Sequence, residues 1–397
     1  MANILSIKDL PLKNQKVLIR VDFNVPLDKS ATIKDDTRIR ASIPSIRYVL
    51  DQGGSVILMS HLGRPKGKDP QYSLKPCAER LSELLKKPVK FAKDCIGEDA
   101  FTLAKNLLPG DVLLLENLRF YPAEEHPELD ENFAKTLASF GTLYVNDAFG
   151  SSHRAHSSTV FVPKLFPQKK ASGFLLEKEL LNLGNLLKNP EKPFIAIIGG
   201  AKISTKIGIL HTLLKKVSAL IIGGGMAYAF MKAQGIEIGN SLIEEGAEDE
   251  AVNLLKEAKR LQSPLILPID LVVTDSIESP KEIMVVQGHV PKGFAGADIG
   301  PATRALFTKE IQKANTIFWN GPLGVFENEQ FSKGTQTIAL AIANTQCTSV
   351  IGGGDSSRAV NEMHLNDQFT FISTGGGATL EFIEQGTLPG IKALELN

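Results

Sequence analysis

Cysteine is scarce. Cys77, Cys95 and Cys347 are the only three in 397 residues, far apart, with no CxxC pair and no histidine at metal-ligand spacing. This excludes a disulfide framework and reads as small buried hydrophobes in a reducing compartment. Net charge is lacking as well, since 44 Lys and Arg offset 44 Asp and Glu. A nucleic-acid coat or a membrane-surface protein normally carries a basic excess, so neither partner is expected and any cationic site must be local. The longest uncharged stretch, Gly334 to Gly354, is interrupted by Thr, Gln, Asn, Ser and Gly. It is too polar to span a bilayer. Met1 to Lys13 has no basic start leading into an apolar core, so no signal peptide is read and a cytoplasmic protein is expected. Two nucleotide motifs are missing too. There is no GxxxxGK followed by Ser or Thr, and no convincing GxGxxG opening a βαβ unit, which argues against an ordinary P-loop enzyme and an ordinary dinucleotide-binding dehydrogenase.

What is present is an ordinary globular composition, 43% hydrophobic and 22% charged, in a chain long enough for two or three domains. Short apolar runs alternate with amphipathic stretches, the pattern of βαβ units around parallel sheets. In the first half, strands are expected at Val17–Phe23, Ser55–Ser60, Val112–Glu116 and Thr142–Asn146. A helix from Thr37 should present Ile39, Ile43, Ile46 and Leu50 on one face, stopped by Gly53-Gly54. The second half offers strands at Phe194–Ile198, Ala219–Ile222, Leu265–Pro268, Thr316–Trp319, Ser349–Ile351 and Phe369–Ile372. Between them, Leu176, Leu180, Leu183 and Leu187 lie at helical spacing, ended by Asn189-Pro190. The expectation is an α/β protein of two Rossmann-like lobes, each a parallel sheet covered by helices on both faces, with a cleft between. The first lobe spans 1–173, a linker helix 174–189 and the second lobe 190–386. The tail, 387–397, could return to the first lobe.

Ligands of open α/β sheets bind beyond the carboxyl ends of the strands. In the first half those ends carry cations: Arg38 opens the first helix, His61 and Arg64 follow the second strand, and Arg119 and Arg154 follow the next two. A lone arginine usually caps a loop or pairs with a surface carboxylate. Several at one sheet edge suit a small ligand with more than one anionic group, because the guanidinium fork grips phosphate or carboxylate bidentately. Asp22 and Asn24 could bind hydroxyl groups. For His153 and His156, loop support and ligand contact are equally open.

Four strands of the second half run into glycine clusters and then helices: Gly199-Gly200, Gly223-Gly224-Gly225, Gly352-Gly353-Gly354-Asp355 and Gly375-Gly376-Gly377. Glycines let a backbone approach phosphate, and the following helix presents N–H groups and its positive end. One such turn is weak evidence, since tight βα turns use glycine structurally. Four of them, with Lys202, Lys206 and Asp355 alongside, favour a phosphate-rich nucleotide and Mg²⁺.

With these residues in view, the sequence resembles the phosphoglycerate kinase family. The matches are Arg20-Val-Asp-Phe-Asn-Val-Pro26, Ser60-His-Leu-Gly-Arg-Pro65, Glu116-Asn-Leu-Arg-Phe120, His153-Arg-Ala-His156, Gly173-Phe-Leu-Leu-Glu-Lys-Glu-Leu180, Gly199-Gly-Ala-Lys202, Asn320-Gly-Pro-Leu-Gly-Val-Phe-Glu327, Gly352-Gly-Gly-Asp-Ser356 and Ser373-Thr-Gly-Gly-Gly377. They fall in family order along essentially the whole chain. The resemblance implies Mg²⁺-dependent, reversible phosphoryl transfer between 1,3-bisphosphoglycerate and ADP, giving 3-phosphoglycerate and ATP, by closure of two lobes and without a phosphoenzyme. It implies triose contacts at Asp22, Asn24, Arg38, His61, Leu62, Gly63, Arg64, Arg119 and Arg154. Nucleotide contacts are implied at Lys206, Gly223, Gly224, Gly296, Pro322, Val325, Glu327, Gly353, Gly354, Asp355 and Ser356, with Asp355 also at the metal. Arg38, Lys202 and the Gly375, Gly376 and Gly377 amides would surround the group in flight. One segment departs from the family, which usually has aromatic-Met-Gly-Leu-Asp-Ile-Gly-Pro where this chain reads Phe294-Ala-Gly-Ala-Asp-Ile-Gly-Pro301. Two other classes are weighed, a dehydrogenase-like enzyme and a non-catalytic metabolite-binding scaffold. NAD(H) titration discriminates the first, and a scaffold has no need of Arg38, Lys202 and Asp355. Monomer is the expected state, as no long heptad suggests assembly.

Overall fold

Continuous Val, Ile and Leu runs build buried parallel strands, because such strands are covered on both faces and need no polar alternation. The computed structural model describes residues 3–28 and 30–396. In its first part, β1 (Lys16–Val21), β2 (Ser55–Met59), β3 (Val89–Phe91), β4 (Val112–Leu114), β5 (Leu143–Asp147) and β6 (Lys170–Ser172) form one sheet in the order β3-β4-β2-β1-β5-β6. All its pairings are parallel, and Arg20 lies opposite Met59 on one side and Asn146 on the other. The strands' carboxyl ends therefore share one edge. Between β1 and β2 runs the Thr37–Asp51 helix, which buries Ile39, Ser42, Ser45, Ile46 and Val49. Ile43 and Leu50 are only half-buried, so the inward face is rotated slightly from the expected stripe.

The second part contains β7 (Phe194–Ile198), β8 (Ala219–Ile222), β9 (Leu265–Ile266), β10 (Asp270–Thr274), β11 (Ile283–Gln287), β12 (Ala295–Ile299), β13 (Thr316–Asn320), β14 (Thr348–Gly352) and β15 (Phe371–Ile372). Six of them make a second parallel sheet, β15-β14-β13-β7-β8-β9, and the other three an antiparallel sheet, β11-β10-β12. By contact the chain divides into Met1–Leu181 with Thr387–Asn397, and Asn182–Gly386. Within the first unit the tail is held at Gly390, whose N–H donates to the Ser152 carbonyl at 2.8 Å. The Phe174–Lys188 helix carries the chain from the first unit into the second. Its start is capped by Asp147 at the end of β5, which accepts from the Leu175 and Leu176 N–H groups at 2.9 and 3.2 Å. No described helix is long and apolar enough to cross a membrane.

Several differences from the sequence expectation have local causes. The first strand stops at Val21, not Phe23, because the Phe23 N–H turns to donate to Ser60 Oγ at 2.8 Å. β9 ends before Pro268, which has no N–H to give a ladder. β3 and β6 are three-residue edge strands without a long apolar run. The antiparallel sheet is the larger omission. β11 is exposed along nearly its whole length, so its apolar residues mark an edge rather than a core strand.

Candidate functional site

At the carboxyl edge of the first sheet, guanidinium groups meet buried carboxylates. Arg38 in the first helical turn forms an ion pair with Asp22 just beyond β1. Burial pushes the Asp22 carboxyl up, but Arg38 and the neighbouring cations pull it down further, to about 2. Arg119 donates to the Gly63 carbonyl at 2.7 Å and pairs with Glu125 at 2.9 Å, while its buried Nε has no partner. Arg64 and Arg154 are exposed at the same edge. Arg20, whose backbone lies within β1, is wholly buried, 4.0 Å from Glu124.

The histidines add no charge. Burial holds His61 well below its ordinary value, and burial followed by the nearby arginines takes His156 down to about 3. The partnerless Nδ1 of half-buried His153 lies in the same region. The arginines thus outnumber Asp22, Glu124 and Glu125, a surplus suited to a small polyanion.

The loop beyond β2 is fixed from within. Asn24 Oδ1 accepts from the Gly63 N–H at 2.9 Å, and Gly63 has φ +62° with the Tyr72 ring where a side chain would go. Asn117 Oδ1 accepts from the Leu62 and Arg119 N–H groups at 3.2 and 3.1 Å, and its Nδ2 donates to the carbonyls of Leu62 and Tyr72 at 2.8 and 2.9 Å. Leu62 and Gly63, expected among ligand contacts, have these backbone groups occupied inside the protein. Asn117 is the residue that sequence reasoning missed. Its signal was its place inside the Glu116–Phe120 segment, between a strand end and Arg119.

At the edge of the second sheet the glycine turns divide into two kinds. A methyl on Gly199 would lie 2.1 Å from the Pro322 carbonyl oxygen, one on Gly223 2.6 Å from Leu323, and one on Gly224 2.6 Å from the Gly200 nitrogen. Close packing of these turns on each other is therefore enough to require glycine there. Gly354, Gly376 and Gly377 are different, since an added methyl there would meet nothing within 4 Å. Gly354 begins the Gly354–Glu362 helix and Gly377 the Gly377–Gln385 helix, so open space adjoins two helix N-termini. Gly353 has φ +97° and Gly376 φ +54°, conformations open mainly to glycine. Gly375 is buried, its N–H donating to Ser373 Oγ at 3.2 Å.

Lys206 reaches into this edge, donating to the Gly199 carbonyl at 2.5 Å and Asn320 Oδ1 at 2.6 Å. Burial lowers its pKa to about 8 against the opposing pull of Asp355. Asn320 also donates to the Gly352 carbonyl at 2.7 Å, so it orients Lys206 from β13 and joins that strand's end to β14. Ser356 is fully buried and its Oγ accepts from the Gly321 N–H at 2.6 Å, so its hydroxyl serves the turn. Lys202 and Asp355 are exposed. Glu327, expected at the ribose, pairs with Arg358 at 3.1 Å, and Val325 and Pro322 are half-buried. Gly296 on β12 lies against Tyr228, whose hydroxyl would be 2.2 Å from an added methyl.

The family model described as phosphoglycerate kinase matches residues 7–386. A phosphoglycerate kinase of Campylobacter jejuni is 52% identical over 397 residues, covering 99% of this chain and 98% of its own. One of Chlorobium limicola is 50% identical over 394 residues, covering 98% of each. Among solved structures, the enzyme of Coxiella burnetii superposes with a TM-score of 0.87 at 39% identity, and that of Pyrococcus horikoshii with 0.85 at 31%, each over 98% of both chains. The two parallel sheets with glycine turns at one edge and arginines at the other thus have the same architecture as these enzymes, and the chain is a member of the phosphoglycerate kinase family, a phosphotransferase.

Proposed function

We propose that this protein catalyses reversible phosphoryl transfer between the acyl phosphate of 1,3-bisphosphoglycerate and ADP, a step of glycolysis and gluconeogenesis. The observation that carries this reading is the surplus of guanidinium groups over carboxylates at the edge of the first sheet, with unpartnered polar atoms on Arg119 and His153. Arg64, Arg119, Arg154 and His61 hold the triose, while Gly353–Ser356, Lys206, Pro322, Val325, Glu327 and Gly296 serve the nucleotide. In the forward direction the acyl-phosphate P–O bond breaks as a β-phosphate oxygen of ADP bonds to phosphorus. A carboxylate leaves, so no general base and no phosphoenzyme are needed. Arg38, Lys202 and the amides of Gly376 and Gly377 stabilise the charge on the transferring group, while Gly375, whose N–H is held by Ser373, shapes the turn.

Among the described residues no cluster of three or more His, Cys, Asp or Glu could hold a metal. The exposed carboxylate of Asp355 fits the usual alternative, Mg²⁺ bound by one protein carboxylate together with nucleotide phosphates and water. There the ion would neutralise phosphate charge. Since the triose and nucleotide residues belong to different units, closure about residues 174–189 is part of the proposal, as are a monomeric state and a cytoplasmic setting.

A coupled assay tests the reaction: 3-phosphoglycerate, MgATP, glyceraldehyde-3-phosphate dehydrogenase and NADH, with NADH loss dependent on every component. Activity that persists without 3-phosphoglycerate would sink the reading. Asp355→Asn should raise the Mg²⁺ concentration needed for half-maximal rate by about tenfold. An unchanged requirement removes Asp355 from the metal. A glycine pair separates phosphate approach from packing. Gly354→Ala should leave Tm at the wild-type value or slightly higher, because alanine favours the helix, and raise the KM for MgATP. Gly199→Ala should lower stability by roughly 1–3 kcal/mol through overpacking. Thermal denaturation with steady-state kinetics reads both, and the reverse pattern would exchange the two roles.

A further inference from the structure

We infer that Asp94, which lies outside every motif of the triose site, is a positioning residue for 3-phosphoglycerate, acting by clamping the loop that carries Arg64 to the turn that carries Arg119. The loop beyond β2 is held near its start by Asn117 and Arg119, at Leu62 and Gly63. Four residues after Arg64, Lys68 returns to the protein and donates to Asp94 Oδ2 at 2.6 Å. Tyr121, two residues after Arg119, donates from its hydroxyl to the same carboxylate, 2.9 Å from each oxygen. The Lys68 ammonium also lies 5.2 Å from the centre of the Tyr121 ring.

Asp94 is itself fixed. Its Oδ1 accepts from the Cys95 N–H at 2.7 Å, and Gly97 packs on its Cβ. Only 20% of its side chain is exposed, against 59% for Lys68. So the hub is largely buried and hydrogen-bonded, and the arm that reaches it is solvated. An ion pair with so exposed an arm contributes little to stability. What it does is remove freedom from the segment between Gly63 and Lys68, where Gly67 has φ +147° and open space around it. Arg64 sits in that segment with its side chain in solvent. A guanidinium must be held at one angle to grip an oxyanion with both arms. With Asn117 at one end and Asp94 at the other, the segment is pinned on both sides of Arg64 and spaced from Arg119 by one connected set of hydrogen bonds.

The inference rests on the proposed triose site, and the experiment separates the two. Calorimetric binding of 3-phosphoglycerate and amide hydrogen exchange over residues 64–68 are measured for wild type, Asp94→Asn and Tyr121→Phe. Asp94→Asn should weaken 3-phosphoglycerate binding roughly three- to tenfold and speed exchange in the segment, with Tm, kcat and the KM for MgATP near wild type. Tyr121→Phe, which keeps the ring, should act in the same direction, and combining the two should add little. Unaltered binding or exchange in Asp94→Asn overturns the clamp. So does a loss that moves Tm and both substrates together, since that marks a general structural role. Absence of 3-phosphoglycerate binding by the wild type overturns the triose site itself.

Discussion

Arg38→Ala is expected to lower kcat by roughly 100- to 1000-fold and to leave the KM for MgATP near that of wild type. The guanidinium sits in the first turn of the Thr37–Asp51 helix, about a third exposed, and pairs with Asp22, which is itself buried at the end of β1. A planar fork held by a carboxylate is oriented before substrate arrives, so its stabilisation of the transferring group requires little reorganisation. Arg38→Lys keeps the charge and loses the fork, and should recover only a part of the rate. A variant with near-normal kcat and greatly weakened ADP binding would place Arg38 on the nucleotide instead. The same substitution has a second readout. Asp22 titrates near 2 in the folded protein, below the roughly 4 of an unfolded aspartate, so its ionised form adds about 2 kcal/mol above pH 4. That contribution fades as pH falls from 4 through 2. Without Arg38 much of it should be missing already at pH 7. Urea denaturation at pH 7 and pH 3 reads the difference, and the gap between wild type and Arg38→Ala should narrow at the lower pH.

The parts of this protein that were legible in the sequence are those set by short-range rules. β7, β8 and the Phe174–Lys188 helix fall where their apolar spacing puts them, because a parallel strand or an amphipathic helix announces itself within a few residues. The arginines at strand ends were legible for the same reason: once a strand is placed, so is its carboxyl end. What was hidden depends on residues far apart in the chain. Gly199 and Gly354 look alike in sequence, and only the Pro322 carbonyl beside one and the open space beside the other tell them apart. Asn117 lies inside a motif that gave it no role and Asp94 lies in none, and their work is visible only in what they hold. β11 was not expected as a strand at all, and it is an exposed edge whose pairing with β10 is set by a partner elsewhere in the chain.

Arg20 belongs to the same hidden class, and its replacement carries the largest expected effect on stability. It opens the Arg20–Pro26 segment, and nothing in the sequence tells that its side chain is fully buried. Nε donates to Ser158 Oγ at 2.8 Å, Nη1 to the Val21 carbonyl, and Nη2 to His61 Nδ1 at 3.1 Å. Because arginine has no acceptor, His61 Nδ1 must accept, leaving the proton of the neutral ring on Nε2. Glu124, also fully buried, takes the Ser158 N–H and hydroxyl at 3.0 and 2.6 Å, so Ser158 joins the two charges. Arg20→Met should destabilise the protein by about 3–5 kcal/mol at pH 7, because Glu124 then remains buried without its ion-pair partner. Burial already raises the Glu124 carboxyl, with Arg20 holding it down; removing Arg20 lifts it further above its unfolded value. A folded value above the unfolded one costs stability at high pH, and the cost is relieved as pH falls through the folded value. The deficit of Arg20→Met should therefore shrink as pH falls from 7 toward acid. Adding Glu124→Leu should restore a large part of it at pH 7, since removing both charges leaves none uncompensated. A deficit under about 1 kcal/mol, or one that grows toward acid, would mean that water reaches Glu124 and that the pair does not anchor this edge of the sheet.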